Sequence, residues 1–241
     1  MTLPLPVAEI REQRTLRPYY QPIIDRKARL AGYELLTRQA AKDGTFLSID
    51  FEALSDTEHL LINKCMLRHL ELDVPFLHSQ GAHFVSINVS PALTDSDYRS
   101  ALIRLAQSMR RIGMMLWVEI LETDPLSTDE MGLIATLREA GVTVALDDVG
   151  VRESSFLGTL TTRFDVIKLD RRCLLAATRS KRVFQVLREL VHSLAAKGLR
   201  IVCEGIETSA DEQLAQQLGC QYQQGYAHGR PAPLPVPMAV H

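Results

Sequence analysis

From residue 83 onward, short apolar runs alternate with longer amphipathic ones, and this order leaves few folds open. "HFVSINVS", "MLWVEIL", "VTVALDD", "DVIKLD", "LRIVCEGI" and "QYQQGYA" are rich in β-branched and aromatic residues and bounded by Gly, Asp or Ser, so they read as strands. Between them, "YRSALIRLAQSMRRIG", "STDEMGLIATLREAG", "KRVFQVLRELVHSLAAKG" and "SADEQLAQQLG" space their apolar residues as helices do. Several open on Ser, Asp or Thr and close on Gly, the residues that cap helix ends. The connector 154–163, "SSFLGTLTTR", holds at most a short helix. Upstream lie two more strands, "PYYQPIID" and "LAGYELL", and the helix "DTEHLLINKCMLRHLEL". Such alternation predicts a parallel sheet covered by helices. Eight strands in 241 residues suit an α/β chain folded as a (β/α)8 TIM-like barrel, typically of about 250 residues. An open doubly wound sheet is the alternative, but the glycine-rich GxGxxG turn expected after its first strand is absent.

Nearly half of the residues are apolar, enough for a sizeable core, and the formal net charge is −2. That balance argues against bulk electrostatic binding of DNA or RNA polymers, yet leaves room for a small anionic ligand. Cys65, Cys173, Cys203 and Cys220 form no CxxC pair and read as reduced, buried thiols. The N-terminus, "MTLPLPVAEIREQRTL", carries acids and prolines where a signal peptide needs an apolar core. No run approaches the roughly 20 apolar residues of a membrane span. The expectation is a cytoplasmic protein without membrane association. One domain is expected, with "RPAPLPVP" from Arg230 as a frayed tail and no room for an added sensory, receiver or cyclase domain.

The strand ends carry the chemistry. Glu34 ends "YELL", Asn88 lies in "SINVS", and Glu119 and Glu122 lie in "WVEILE". Asp147 and Asp148 end "ALDD", Lys168 and Asp170 lie in "IKLD", Glu204 and Glu207 in "VCEGIE", and Gln224 in "QYQQGY". In a parallel barrel these C-terminal ends meet at one rim, where active sites are built. One polar residue at a strand end usually caps a helix or faces water. Carboxylates recurring on successive strands need a positive partner, and oxygen ligands favour Mg²⁺ or Mn²⁺ over zinc. The adjacent Asp147 and Asp148 could serve two such ions and clamp the two oxygens of a phosphoryl displacement. Lys168 could orient a water or offset phosphate charge. HExxH, Walker and GxSxG motifs are absent, and the seven histidines show no metal-ligand spacing. Ser154-Ser155 and Asp95-Ser96-Asp97 read as helix caps.

The signatures "YYQPI", "GYELLTR", "INVSP", "VEILE", "ALDDVG", "IKLD", "CEGIET" and "GCQYQQGYAHGRPAP" occur in this order over residues 18–233. Together they resemble the EAL domain, the family of cyclic di-GMP phosphodiesterases. The resemblance implies a (β/α)8-type barrel with one antiparallel strand, a lead-in at 1–17 and a tail at 234–241. By the same resemblance Glu34, Asn88, Glu119 and Asp147 bind one metal, and Asp147 bridges to a second that Asp148 also serves. Lys168 is similar to the lysine at the hydrolytic water, and Glu204 to a general base or acidic support. Gln224 and Gln21 line the pocket, and Arg38 contacts a substrate phosphate unless it is a buried salt-bridge arginine. Asp170, Glu122 and Glu207 lie behind the ligands, the last two holding the loop after the Asp pair. The implied reaction is attack of a metal-activated water that opens cyclic di-GMP to linear 5′-pGpG, with two Mg²⁺ or Mn²⁺ per site. A homodimer is implied by resemblance alone.

That loop departs from the family. In place of Phe-Gly-Thr-Gly-Tyr-Ser-Ser the chain has Val149-Gly150-Val151-Arg152-Glu153-Ser154-Ser155. Arg152 replaces a glycine, which matters where the backbone needs φ > 0. Arg152 is expected to pair with Glu122 or Glu207. Three functions remain in view: an active phosphodiesterase, a catalytically silent cyclic di-GMP receptor, and a protein-binding adapter. The retained Glu34, Asn88, Glu119 and Lys168 favour the first.

Overall fold

A computed structural model describes residues 16–41, 43–89, 92–121, 128–150 and 164–235. Glu122 and the whole stretch 151–163, with Val151, Arg152, Glu153 and the Ser154-Ser155 cap, lie outside the described residues.

The chain enters as a hairpin. Strands β1 (Leu16–Asp25) and β2 (Leu30–Ala40) are joined by a turn too short for a parallel crossover, so they pair antiparallel. The Asp25 carboxylate holds that turn, accepting from the Lys27 and Arg29 amides and the Arg29 guanidinium. A short strand β3 (Phe46–Ser48) adds to the free end of β2. The remainder alternates: α1 (Asp56–Ser79), β4 (Phe84–Asn88), α2 (Ser96–Arg111), β5 (Met115–Leu121), α3 (Thr128–Glu139) and β6 (Thr143–Val149). Then come β7 (Val166–Leu169), α4 (Arg171–Arg179), α5 (Lys181–Ala196), β8 (Arg200–Cys203), α6 (Ser209–Leu218) and β9 (Tyr222–Gln224).

The sheet order β1-β9-β8-β7-β6-β5-β4-β2 closes on itself through the β1–β2 pairing. β2 and β4 to β9 run parallel, and β1 is antiparallel to both neighbours. This is the barrel with one antiparallel strand. The open doubly wound alternative is overturned, because an open sheet has no such closing pair.

Alternation along each strand sorts the side chains. Residues facing out, such as Val85, Ile87, Leu116 and Val118, join the buried layer beneath the helices. Ile23, Phe84, Trp117, Ala145, Val166 and Val202, which face in, make a plug at the lower end, and Ala31 clusters with them. Phe84 and Trp117 stack at 3.6 Å with their planes 4° apart, and Tyr222 meets both edge-on. Gly32 makes the plug possible, since a Cβ there would lie 2.5 Å from the Phe84 carbonyl oxygen and 2.6 Å from its ring.

Three expectations are corrected. α1 runs on through Pro75 to Ser79, beyond the expected end at residue 72. α4, unanticipated, starts directly after β7 with Asp170 as its N-cap, accepting from the Arg172 amide at 2.8 Å. The segment after Arg230 is held as far as the described residues run, to 235: Ala232 exchanges two backbone hydrogen bonds with Tyr20, and Leu234 packs on the core. The Asp95 cap is present, its carboxylate accepting from the Tyr98 amide at 2.7 Å.

Candidate active site

One step of two residues above the plug lies the functional layer. Phe84 leads to Ser86, Trp117 to Glu119, Ala145 to Asp147, Val166 to Lys168, Val202 to Glu204 and Tyr222 to Gln224. Gly32 leads to Glu34, and on the reversed β1 Ile23 leads back to Gln21. Period-2 alternation thus carries residues from eight strands into one ring. Pairing fixes their heights: Gln21 lies opposite Glu34, Asn88 beside Glu119, and Ile23 opposite Gln224.

At the centre stands the Lys168 ammonium, on a residue only 1% exposed. Its Nζ lies 2.9 Å from Glu119, 3.0 Å from Asp147, 2.9 Å from Glu204 and 3.5 Å from Glu34. One cation therefore faces four carboxylates, with Asp148 adjacent. Burial alone would lower the lysine pKa, but Asp147, Glu119, Glu204 and Glu34 hold it well above its usual value.

The carboxyls divide by their partners. Burial pushes Glu34 up, but Lys168 and the amides of Gln224 and Asn88 outweigh it, and its pKa falls below the ordinary value. Gln224 Nε2 donates to Glu34 Oε2 at 2.5 Å, and Asn88 Nδ2 to Oε1 at 3.2 Å. Burial, then the charge of Glu34, pushes Glu119 well above the usual range. Asp147 is raised chiefly by burial. Burial and the neighbouring Asp147 and Asp170 push Asp148 up to about 6, and burial pushes Glu204 up to about 8. Burial is the largest cause of each rise, and the neighbouring carboxylates add to it.

Adjacent strand residues normally point to opposite faces, so Asp147 and Asp148 should diverge. Instead Asp148 takes φ of 57°, a left-handed conformation that Asp tolerates better than most residues. The β6–β7 register shifts between Leu146 and Val149 as a result. Carboxylate oxygens of Asp147, Asp148 and Glu204 then come within 4.8 Å of one another.

This donor set fits hard divalent cations: all-oxygen ligands, excess negative charge, and a buried Glu119 Oε2 with no hydrogen-bond partner among the described residues. Glu34, Asn88, Glu119, Asp147 and Asp148 could hold such ions, with Glu204 in reach.

A cavity of about 330 Å³ opens above the ring, walled in part by Gln21, Glu34, Glu204 and Gln224. Gln21 accepts from Gln224 Nε2 and donates to the Gly229 carbonyl, both at 3.3 Å. Arg38 follows Glu34 by four residues on the same face of β2, half-buried over the Tyr19 ring at 5.8 Å. It donates to the Thr37 carbonyl at 2.9 Å and makes no ion pair among the described residues. Asp170 lines the cavity while capping α4. Glu207 pairs with Arg171 at 2.7 Å; the expected pairing of Arg152 with Glu122 or Glu207 lies outside the described residues. Arg171, which sequence reasoning missed, also donates to the Gly205 carbonyl at 2.6 Å and lines the cavity. Its signal was its place, one residue beyond "IKLD".

The sequence model of the EAL domain family matches residues 6–231 of this chain. The chain belongs to the EAL domain family. The protein named probable cyclic di-GMP phosphodiesterase PdeB of Escherichia coli (strain K12) is 29% identical over 234 residues, covering 92% of this chain and 44% of that protein. Cyclic di-GMP phosphodiesterase NbdA of Pseudomonas aeruginosa is 25% identical, covering 91% of this chain and 29% of that protein. This EAL domain chain spans less than half the length of both. Among solved structures, Klebsiella pneumoniae BlrP1 in a manganese/cyclic di-GMP complex superposes with a TM-score of 0.75 at 21% identity, covering 90% of this chain and 56% of that one. The PaMucR phosphodiesterase in complex with c-di-GMP gives 0.76 at 21% identity, covering 95% and 96%. At that identity the two structures establish the fold of the EAL barrel.

Proposed function

We propose that this EAL domain hydrolyses cyclic di-GMP to linear 5′-pGpG with two divalent cations, Mg²⁺ or Mn²⁺. The observation that carries the reading is the ring in which Lys168, the one cation there among the described residues, faces Glu34, Glu119, Asp147 and Glu204. Support comes from relatives named as cyclic di-GMP phosphodiesterases and from the manganese complex of BlrP1.

In this reading Glu34, Asn88, Glu119 and Asp147 hold one ion, and Asp147 and Asp148 the other. Such ions would acidify a water and polarise a phosphodiester. The protein's own groups do the rest. Lys168, fixed by its carboxylates, presents N–H donors to the attacking water and stays charged throughout. Glu204, whose carboxyl is pushed up to about 8 by burial in the metal-free site, lies beside it as a group that can take up or return a proton. Gln224 and Gln21 keep Glu34 oriented from the side. Arg38 is placed above the ring to meet a phosphate through its planar fork. Asp170, Glu207 and Arg171 brace the far wall.

Purified protein incubated with cyclic di-GMP and Mn²⁺ should release 5′-pGpG by chromatography, and Glu34→Ala should reduce turnover at least about a hundredfold. Tight binding without product would make the chain a receptor. No binding at all would make it a protein adapter.

A further inference from the structure

The barrel carries a second cavity, of about 490 Å³, at the opposite end, where the parallel strands begin. Three arginines from three elements line it: Arg110 in the last turn of α2, Arg138 in the last turn of α3, and Arg200 opening β8. Their roles differ. Arg138 is engaged by Asp165 through contacts of 2.6 to 3.1 Å, and Asp165 also accepts from the Val144 amide. That pair is structural, tying α3 to the start of β7.

Arg110 and Arg200 have no ion pair among the described residues. The Arg110 Nη1 lies over Gly141, where a Cβ would come within 2.8 Å of it. Arg200 is half-buried, with its guanidinium over the Trp117 ring at 5.8 Å. Its Nη1 is shielded from solvent and meets no hydrogen-bond acceptor among the described residues. A charged donor withdrawn from water without an acceptor is costly, and an anion in the cavity would relieve that cost. Glu139 is the one further acid on the wall among the described residues, which set three arginines against two carboxylates there.

We propose that this lower cavity binds a small organic phosphate of nucleoside monophosphate size. Its volume falls in the range of about 300–1,000 Å³ usual for small-molecule sites. Planar guanidinium forks on two sides match the oxygens of a phosphate better than they match a halide. Met115 and Val142, also on the wall, give an apolar surface for the organic part. The site is separate from the carboxylate ring and does not depend on the proposed hydrolysis.

Trp117 is the single tryptophan of the chain, and Arg200 lies over it, so occupancy is readable through intrinsic fluorescence. The full chain, kept metal-free with chelator, is titrated with adenosine 5′-monophosphate at constant ionic strength, with calorimetry in parallel. The expected result is saturation with a dissociation constant below about 1 mM. Arg110→Ala, at an exposed position that leaves the fold intact, should weaken binding about tenfold or more, as loss of a charge-assisted contact does. Arg171→Ala at the opposite rim should leave binding unchanged. Absence of saturation, or binding that survives Arg110→Ala, or binding that Arg171→Ala removes, would overturn the proposal.

Discussion

Lys168→Met removes the one cation from the carboxylate ring while keeping a side chain of similar length, so little cavity is created. The ammonium contacts four carboxylates at 2.9 to 3.5 Å, and the residue is 1% exposed. Removing one partner of a buried ion pair costs about 3–5 kcal/mol. Four partners do not multiply that figure, because the stranded acids take up protons once their pKa values exceed the ambient pH. The expected loss in the metal-free protein is therefore about 3–5 kcal/mol at neutral pH, a large share of the roughly 5–15 kcal/mol that stabilises a domain. At mildly acidic pH the loss should shrink, since protonation has already relieved the repulsion. The assay is urea unfolding with chelator present, followed by circular dichroism, at both pH values. Saturating Mn²⁺ should stabilise the variant more than the parent. A loss below about 1 kcal/mol, the range of an exposed pair, or a larger loss at acidic pH, would refute the reasoning.

Two further outcomes are expected. Asp148 and Glu204, held up to about 6 and about 8, retain protons in the metal-free site at mildly acidic pH. Cations need the ionised forms, so apparent Mn²⁺ affinity should rise between about pH 5 and pH 8 with proton release; calorimetry in two buffers of different ionisation enthalpy checks this, and a flat profile without released protons contradicts it. Gly32→Ala places a Cβ against the Phe84 carbonyl and ring. It should destabilise the chain by about 1–3 kcal/mol, and an unchanged urea midpoint would show that the plug can yield.

The ring was legible in the sequence because two periodicities agree. Helix-strand alternation sends the strand ends to one rim, and alternation within strands places Glu34, Glu119, Asp147, Lys168 and Glu204 two residues beyond small or apolar plug positions. What stayed hidden depended on single backbone angles or short elements. Nothing in "ALDDVG" announces the left-handed Asp148 that turns both acids toward one site. The nine residues of α4 follow β7 with no glycine or proline to mark the break, and their cap, Asp170, reads equally well as a site residue. The pairing of Glu207 with Arg171 was not legible either, because the two residues are adjacent only across the β7 and β8 ends. The reversed β1 came from the family resemblance, since the apolar pattern of a strand does not reveal its direction.

The most direct test of the central claim is the anomalous manganese signal from crystals grown with Mn²⁺ and cyclic di-GMP. The expected result is two peaks, one among Glu34, Asn88, Glu119 and Asp147 and one shared by Asp147 and Asp148, with the nucleotide above them and Arg38 on its phosphate. A structure with nucleotide bound and no manganese in the ring, Lys168 still serving the four carboxylates alone, would contradict it.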